Sequence, residues 1–144
     1  MSKPAAASRD SLGFLVADIS RLMRRAFAQR LKGSSLTLAQ ARALVHVSRN
    51  EGLRQVELAA LLEVQPITLA RLLDQLDRGG LVERRADPAD RRAYRLFLKP
   101  AAAPHLAAIG QAAKVIRSHA LRDMDEREAA AMLAGLRKMH DNLS

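Results

Sequence analysis

The sequence contains no cysteine and no tryptophan, and only 3% of its 144 residues are aromatic. The lack of cysteine excludes a disulfide framework, a thiolate metal site and a cysteine nucleophile. Because aromatic residues are scarce, the core must consist of Leu, Ala, Val, Ile and Met, which favours helices over sheets. No apolar run reaches the ~18 residues of a membrane span, and the N-terminal residues lack the apolar segment of a secretion signal. We therefore expect a cytoplasmic, helical protein that does not act at a membrane.

Positive charge is in surplus, because 24 Lys and Arg residues against 15 Asp and Glu residues give a net charge of +9. Residues 1–35 carry seven basic and two acidic side chains, whereas residues 54–99 carry nine and seven. Six of the latter basic residues lie between Arg84 and Lys99, both included. A basic surplus favours a nucleic acid or another anionic partner without choosing between them, and such a cluster can also be only a solvated face.

The spacing of apolar residues predicts long helices at both ends of the chain. Apolar side chains recur at steps of three and four over residues 11–32, which is typical of one amphipathic helix. Thr37 and Gln40 form a capping-box pattern that predicts the start of a second helix. Residues 101–122 are Ala-rich with helical spacing, and Asp125 has the position of an N-cap for a final helix.

Two short helices are predicted in the middle of the chain, over residues 55–62 and 66–78, with only three residues between them. Pro66 suits the first position of the second helix, where its missing N–H is not needed. Gly79-Gly80 predicts its end. The apolar side chains of this second helix that are available for packing are Ile67, Leu69, Ala70, Leu72, Leu73 and Leu76.

Two strand candidates follow, residues 81–85 and 92–98, with a turn-rich segment over 86–91 between them. The order of these elements is that of a winged helix-turn-helix: a short helix, a tight connection, a second short helix and a basic hairpin. A helix fits the major groove of DNA, and a basic hairpin tip can reach an adjacent minor groove. We therefore predict a mainly α fold with a small β-hairpin wing. The alternative is a generic helical domain whose hairpin charges are only solvated.

The segment from Val64 to Leu98 resembles the MarR (multiple antibiotic resistance regulator) family of transcription factors, and the SlyA type in particular. The matching motifs are Asp-Gln-Leu at 74–76, Gly80-Leu81-Val82 and Asp-Pro-Ala-Asp-Arg-Arg at 87–92. The resemblance extends over the chain, because the family also has a long first helix and two long C-terminal helices. Two departures exist: Arg54 stands where the family often has a Thr or Ser that caps the third helix, and Lys99-Pro100 where it usually has Thr.

The resemblance implies a sequence-specific, double-stranded DNA-binding transcriptional regulator that represses a palindromic operator. Residues 36–99 would form the winged helix-turn-helix DNA-binding lobe, and residues 1–35 and 100–144 a helical dimerisation region. The first helix and the two C-terminal helices would then build a two-fold homodimer. An intramolecular helical bundle is the alternative explanation of their apolar stripes. No cofactor is implied.

The resemblance also implies which residues contact DNA. Arg71 would bond a guanine in bidentate fashion from a helix in the major groove, with a phosphate contact as the alternative. Arg92 would enter the minor groove, and Asp90 would orient the wing arginine by a charge-assisted bond. The other implied contacts are Gln65, Pro66 and Thr68 on the helix, and Arg84, Arg85 and Arg91 as phosphate contacts on the wing.

Family members commonly lose DNA affinity when they bind a small aromatic acid such as salicylate. Such an effector shifts the equilibrium only if it binds the wide and narrow spacings of the two DNA-binding lobes differently. Arg21 matches a family position that can meet a carboxylate, with a salt bridge as the alternative, and its plausible neighbours are Met23, Phe27, Arg42 and His46. Without cysteine, the thiol-oxidation sensor of some relatives is excluded, and the histidines show no metal-ligand spacing.

Other classes of function fit the sequence less well. It has no Gly-rich phosphate loop, no nucleophile elbow and no catalytic spacing of His, Asp and Glu, so an enzyme is not predicted. A nucleoid-type architectural protein of low sequence specificity is the closer alternative, because it too would be a basic dimer. A winged helix that only binds proteins is disfavoured by the wing arginines. A specific regulator should prefer its site over non-specific DNA by ~10³ or more.

Overall fold

The computed structural model describes residues 10–144, so residues 1–9 of the predicted dimerisation region lie outside the described part. Over that range the chain forms helices and one two-stranded antiparallel hairpin, which confirms the predicted mainly α fold with a small wing. The elements are α1 (Leu12–Arg30), α2 (Leu38–Arg49), α3 (Gln55–Leu62), α4 (Pro66–Arg78), β1 (Val82–Asp87), β2 (Asp90–Leu98), α5 (Ala102–Ala120) and α6 (Glu126–Leu143).

Side-chain caps fix the start of several helices. The Thr37 hydroxyl accepts the Gln40 N–H at 3.2 Å, and Gln40 Oε1 accepts the Thr37 N–H at 2.9 Å, which confirms the capping box of α2. Asp125 accepts the Glu128 N–H at 2.8 Å and caps α6 as predicted. Arg54, at the N-cap of α3, makes no capping hydrogen bond with its side chain.

The core lies between α2, α3, α4 and the base of the hairpin. Its largest fully buried side chains are Leu44, Val47, Leu58, Leu69, Leu73, Leu76, Val82 and Leu96. α5 contributes Ile109 to the edge of this cluster. Neither α1 nor α6 contains a buried residue, although both have apolar stripes. The two terminal helices therefore leave much of their apolar surface uncovered in a single chain.

One predicted core residue of α4 is not in the core. Leu69, Leu73 and Leu76 are buried, whereas Ile67 is 63% exposed. Since helical residues four apart share a face, Ile67 lies on the same face of α4 as Arg71 and away from the buried leucines. Ile67 was expected to be available for packing only because it is apolar. That prediction was wrong, because Ile67 points to a different side of the helix from Leu69, Leu73 and Leu76.

The hairpin is longer and its tip is tighter than predicted. β1 and β2 extend until Asp87 pairs with Asp90, so that Pro88 and Ala89 alone form the turn within the turn-rich segment predicted over 86–91. The pairing register shifts between Ala86 and Asp87. We call this hairpin, Val82 to Leu98, the wing.

The chain just before α3 pairs with the wing and anchors it. The Gly52 N–H donates to the Leu96 carbonyl at 2.8 Å, and the Leu96 N–H donates to the Leu53 carbonyl at 3.0 Å. Arg54 and Arg95 form an isolated antiparallel bridge next to these bonds. The base of β2 is therefore held against the start of α3 by backbone hydrogen bonds.

Candidate nucleic-acid interface

α4 presents a polar face opposite its buried leucines. Thr68, Arg71, Gln75 and Arg78 are all exposed, and their spacing of three, four and three residues places them in one stripe. Pro66 is the first residue of the helix, as predicted. The predicted Gln65 is at the N-cap without a capping bond from its side chain, so its amide is available for other contacts.

Four arginines of α4 and the wing tip are exposed and lack an ion-pair partner within residues 10–144: Arg71, Arg78, Arg91 and Arg92. Three of these were predicted from the sequence, and Arg78 was not. A cation that has no carboxylate partner can meet a phosphate or a base edge without first breaking an internal contact. α4 and the wing tip therefore form a basic surface suited to a polyanion.

Arg84, which was predicted to contact a phosphate, is engaged within the protein. Its Nη2 lies 2.8 Å from Asp74 Oδ1 and 3.3 Å from Asp77 Oδ2, and its side chain is 26% exposed. Lys99 Nζ lies 3.8 Å from the other oxygen of Asp77. These contacts join β1 to α4, so a phosphate would have to compete with two carboxylates for Arg84.

Arg85 makes two contacts within the wing but stays exposed to solvent. Its Nη2 donates to Glu83 Oε2 at 3.0 Å, and its guanidinium carbon lies 4.0 Å from the centre of the Phe97 ring. The hydrogen bond from Arg85 holds the pKa of Glu83 below its ordinary value. Because Arg85 remains exposed, it can still approach a phosphate while stacked on Phe97.

Asp87 is 2% exposed and is the charged side chain that the fold buries within the described range. Its Oδ1 accepts the Ala89 N–H at 2.9 Å. Its Oδ2 lies 3.1 Å from Arg54 Nε and 3.3 Å from Arg95 Nε. The Ala89 hydrogen bond, and then the charges of Arg95 and Arg54, hold the pKa of Asp87 below its ordinary value although burial alone would raise it. Asp87 is therefore an ionised centre between the wing and α3.

The role predicted for Asp90 differs from what the structure shows. Asp90 Oδ1 accepts the backbone N–H of Arg92 at 3.0 Å. The contact is thus to the main chain of the wing arginine, whereas a charge-assisted bond to its side chain was expected.

The sequence did not reveal Asp87 as the buried acid. A signal was present, because an Asp that accepts the backbone N–H of the second residue after it, here Ala89, forms an Asx-turn. The sequence also did not reveal the 3.0 Å bond from Gln40 Nε2 to Gln75 Oε1, which links α2 to the exposed face of α4.

The predicted effector residues lie on α1 and α2. Arg21 Nη2 lies 2.7 Å from Asp18 Oδ1 on the same helix, which is the salt bridge considered as the alternative for Arg21. Phe27 packs against the core, while Met23 is exposed. Burial, and then the charges of Arg42 and Arg49, lower the pKa of His46. The five residues together stay a prediction.

A cavity of about 370 Å³ lies between α1 and α5. Arg30 and His119 provide polar groups beside the apolar side chains of Val115 and Ile116. None of the five predicted effector residues lines this cavity. Among residues 10–144 there is no cluster of acidic or histidine side chains that could hold a metal ion, and no helix long and apolar enough to cross a membrane.

Known proteins are similar to this chain in sequence and in fold. The sequence model of the MarR family matches residues 34–93. A crystal structure of MarR is 28% identical, covers 96% of this chain and 95% of its own, and superposes with a TM-score of 0.84. The transcriptional regulator PA3341 is 37% identical over 92% of this chain and 98% of its own, with a TM-score of 0.78.

A MarR-family regulator from Silicibacter pomeroyi is 28% identical over 92% of this chain and 89% of its own, with a TM-score of 0.78. None of these similarities separates the SlyA type from the rest of the family, so that finer assignment stays a prediction. The family model covers α4 and most of the wing, and the structural matches also span the long terminal helices. The chain therefore belongs to the MarR family of transcriptional regulators.

Proposed function

We propose that this protein is a sequence-specific regulator that binds double-stranded DNA as a homodimer, with α4 in the major groove and the wing tip in an adjacent minor groove. Members of the MarR family bind DNA and act as dimers. The observation that carries the proposal is the set of exposed arginines on α4 and the wing tip that have no ion-pair partner in the described residues.

Within this surface, different side chains have different tasks. Arg71 is near the N-terminal half of α4, where its guanidinium can reach a guanine edge in bidentate fashion. Gln65, Pro66 and Thr68 face the same groove and contact base edges or phosphates. Arg92 enters the minor groove, whose negative potential attracts arginine. Arg91 and Arg85 pair with phosphates and fix the register of the protein on the duplex.

The dimer is proposed to form through α1, α5 and α6, with residues 36–99 as the DNA-binding lobe. The uncovered apolar stripes of α1 and α6 support this division, since a contiguous exposed apolar surface marks an interaction site. A two-fold dimer presents two α4 helices and therefore requires a palindromic operator with half-sites ~34 Å apart. The exposed side chains of the α1 stripe are Leu12, Leu15, Ile19 and Leu22.

We further propose that the regulator represses its operator and is released by a small aromatic acid, salicylate-like in chemistry. The candidate effector residues remain Arg21, Met23, Phe27, Arg42 and His46. The cavity between α1 and α5, which none of these five residues lines, is a second place for such an acid, because Arg30 and His119 lie there beside apolar side chains. An acid bound between the dimerising helices and the DNA-binding lobes would change the distance between the two lobes only if it binds one spacing more tightly than the other.

A footprint on the DNA upstream of the gene, repeated with a panel of aromatic carboxylates that includes salicylate, tests the proposal. We expect protection of a palindrome that is lost with one of the acids. Arg71→Ala should abolish the protection at the same concentration, whereas Arg127→Ala, an exposed arginine on α6, should preserve it. Uniform protection without boundaries would support the architectural alternative and contradict sequence-specific binding.

A further inference from the structure

The exposed face of α4 contains an aliphatic side chain that the fold does not use. Ile67 is 63% exposed and is not among the residues packed against the core. It lies one helical turn before Arg71 on the same face. Exposed apolar area is unfavourable in water, and isoleucine forms helices less readily than leucine or arginine. Neither packing nor helix stability therefore accounts for isoleucine at this position.

The surroundings of Ile67 limit what can cover it. Thr68, Arg71, Gln75 and Arg78 share the exposed face, and none of the arginines has an ion-pair partner in the described chain. A partner that matches this surface must be anionic and must still offer an apolar group to Ile67. The major groove of DNA meets both conditions, because thymine places a C5-methyl group among the polar base edges there.

We propose that Ile67 reads a thymine through its C5-methyl group. This inference rests on the proposed function, since it requires α4 to lie in the major groove. Side chains four apart on a helix are about 5–6 Å apart, and base pairs are stacked at about 3.4 Å. The thymine therefore lies within one or two base pairs of the pair that Arg71 contacts, and Ile67 adds a specificity that arginine contacts do not supply.

Replacement of thymine by deoxyuridine removes only the C5-methyl group and leaves the hydrogen-bonding edges unchanged. In a selected operator, each thymine of one half-site is replaced in turn, and dimer affinity is measured by fluorescence anisotropy. We expect one position at which the wild-type protein loses about fourfold in affinity, the equivalent of one buried methyl-sized group. Ile67→Ala should bind the unmodified operator about as weakly and should not distinguish thymine from deoxyuridine at that position.

Leu61→Ala is the matched control, because Leu61 is also aliphatic and 49% exposed but lies on α3. It should keep the wild-type sensitivity to deoxyuridine. Wild-type protein that is insensitive at every thymine, or an Ile67→Ala variant as sensitive as the wild type, would overturn the inference. A lower mass of Ile67→Ala in sedimentation without DNA would also overturn it, by placing Ile67 in a protein contact.

The same experiment separates this inference from the function on which it rests. If the protein shows no preference for any sequence over random DNA, both the proposed function and the reading of thymine are wrong. If it binds a specific operator without any deoxyuridine effect, the proposed function stands and the role of Ile67 alone is wrong.

Discussion

Arg54 Nε at the start of α3 lies 3.1 Å from Oδ2 of the buried Asp87 at the turn of the wing. Arg95 Nε approaches the same oxygen to 3.3 Å, and Arg95 Nη1 donates to the Gly52 carbonyl at 2.9 Å. Arg54 stands where the family often has a helix-capping Thr or Ser, and it makes no capping bond here. In this chain the position joins the wing to α3, so the orientation of the wing tip depends on these ion pairs.

Asp87→Asn should lower the midpoint of thermal unfolding, because it leaves two guanidinium groups beside a neutral side chain in a buried site. Asp90→Asn, on the exposed side of the turn, is the control and should produce a smaller shift in circular-dichroism melts. Since the pKa of Asp87 is lowered in the fold, its stabilising contribution is present above the pKa of free aspartate, about 3.9. That contribution is lost as the pH falls through the lower folded pKa, and Asp87→Asn should lack this loss. Equal melting shifts for both variants would contradict the ion-paired role of Asp87.

Arg84→Ala should act on stability more than on DNA binding. Arg84 bridges Asp74 and Asp77 of α4, so we expect a loss of about 1–2 kcal/mol in the free energy of unfolding. Urea denaturation measures this loss, and Arg91→Ala should change it by less than about 0.5 kcal/mol. If Arg84→Ala instead leaves stability unchanged and reduces the salt dependence of DNA binding, Arg84 is the phosphate contact that the sequence predicted.

Arg92→Ala should weaken operator binding by about tenfold or more, because the exposed wing arginine would no longer enter the minor groove. The slope of log affinity against log salt concentration should become shallower by roughly one, because one fewer cationic side chain neutralises the phosphate backbone. Anisotropy titrations at several salt concentrations give both quantities, with Arg127→Ala as the control. Unchanged affinity at moderate salt would refute the assignment of the wing tip to the minor groove.

His46 should make the protein less stable in mild acid. Burial and the neighbouring Arg42 and Arg49 lower its pKa, so the unfolded chain binds this proton more readily than the folded one. Stability is therefore complete above the pKa of free histidine, about 6.5, and falls as the pH drops through the lower folded pKa. Urea denaturation at a series of pH values should show a flatter profile for His46→Gln than for the exposed His140→Gln. Identical profiles for the two variants would contradict this prediction.

Local sequence signals predicted the helices well, because their ends depend on nearby residues. Thr37 and Gln40 form the predicted capping box, and Pro66 opens α4 as expected. The buried ion pairs of Asp87 could not be predicted in this way, since its partners Arg54 and Arg95 come from separate segments that meet only in the fold. The hairpin was predicted with a turn-rich tip over 86–91, but the pairing of Asp87 with Asp90 was not, because turn-forming residues do not show where a strand ladder stops.

Selection of sequences from a random duplex library by the 144-residue protein shows directly whether it is a sequence-specific, dimeric DNA-binding regulator. We expect enrichment of a palindrome whose half-sites are centred ~34 Å apart, bound by two chains and preferred over random DNA by ~10³ or more. Recovery of no common sequence, or binding of a single chain to an asymmetric site, would contradict this expectation.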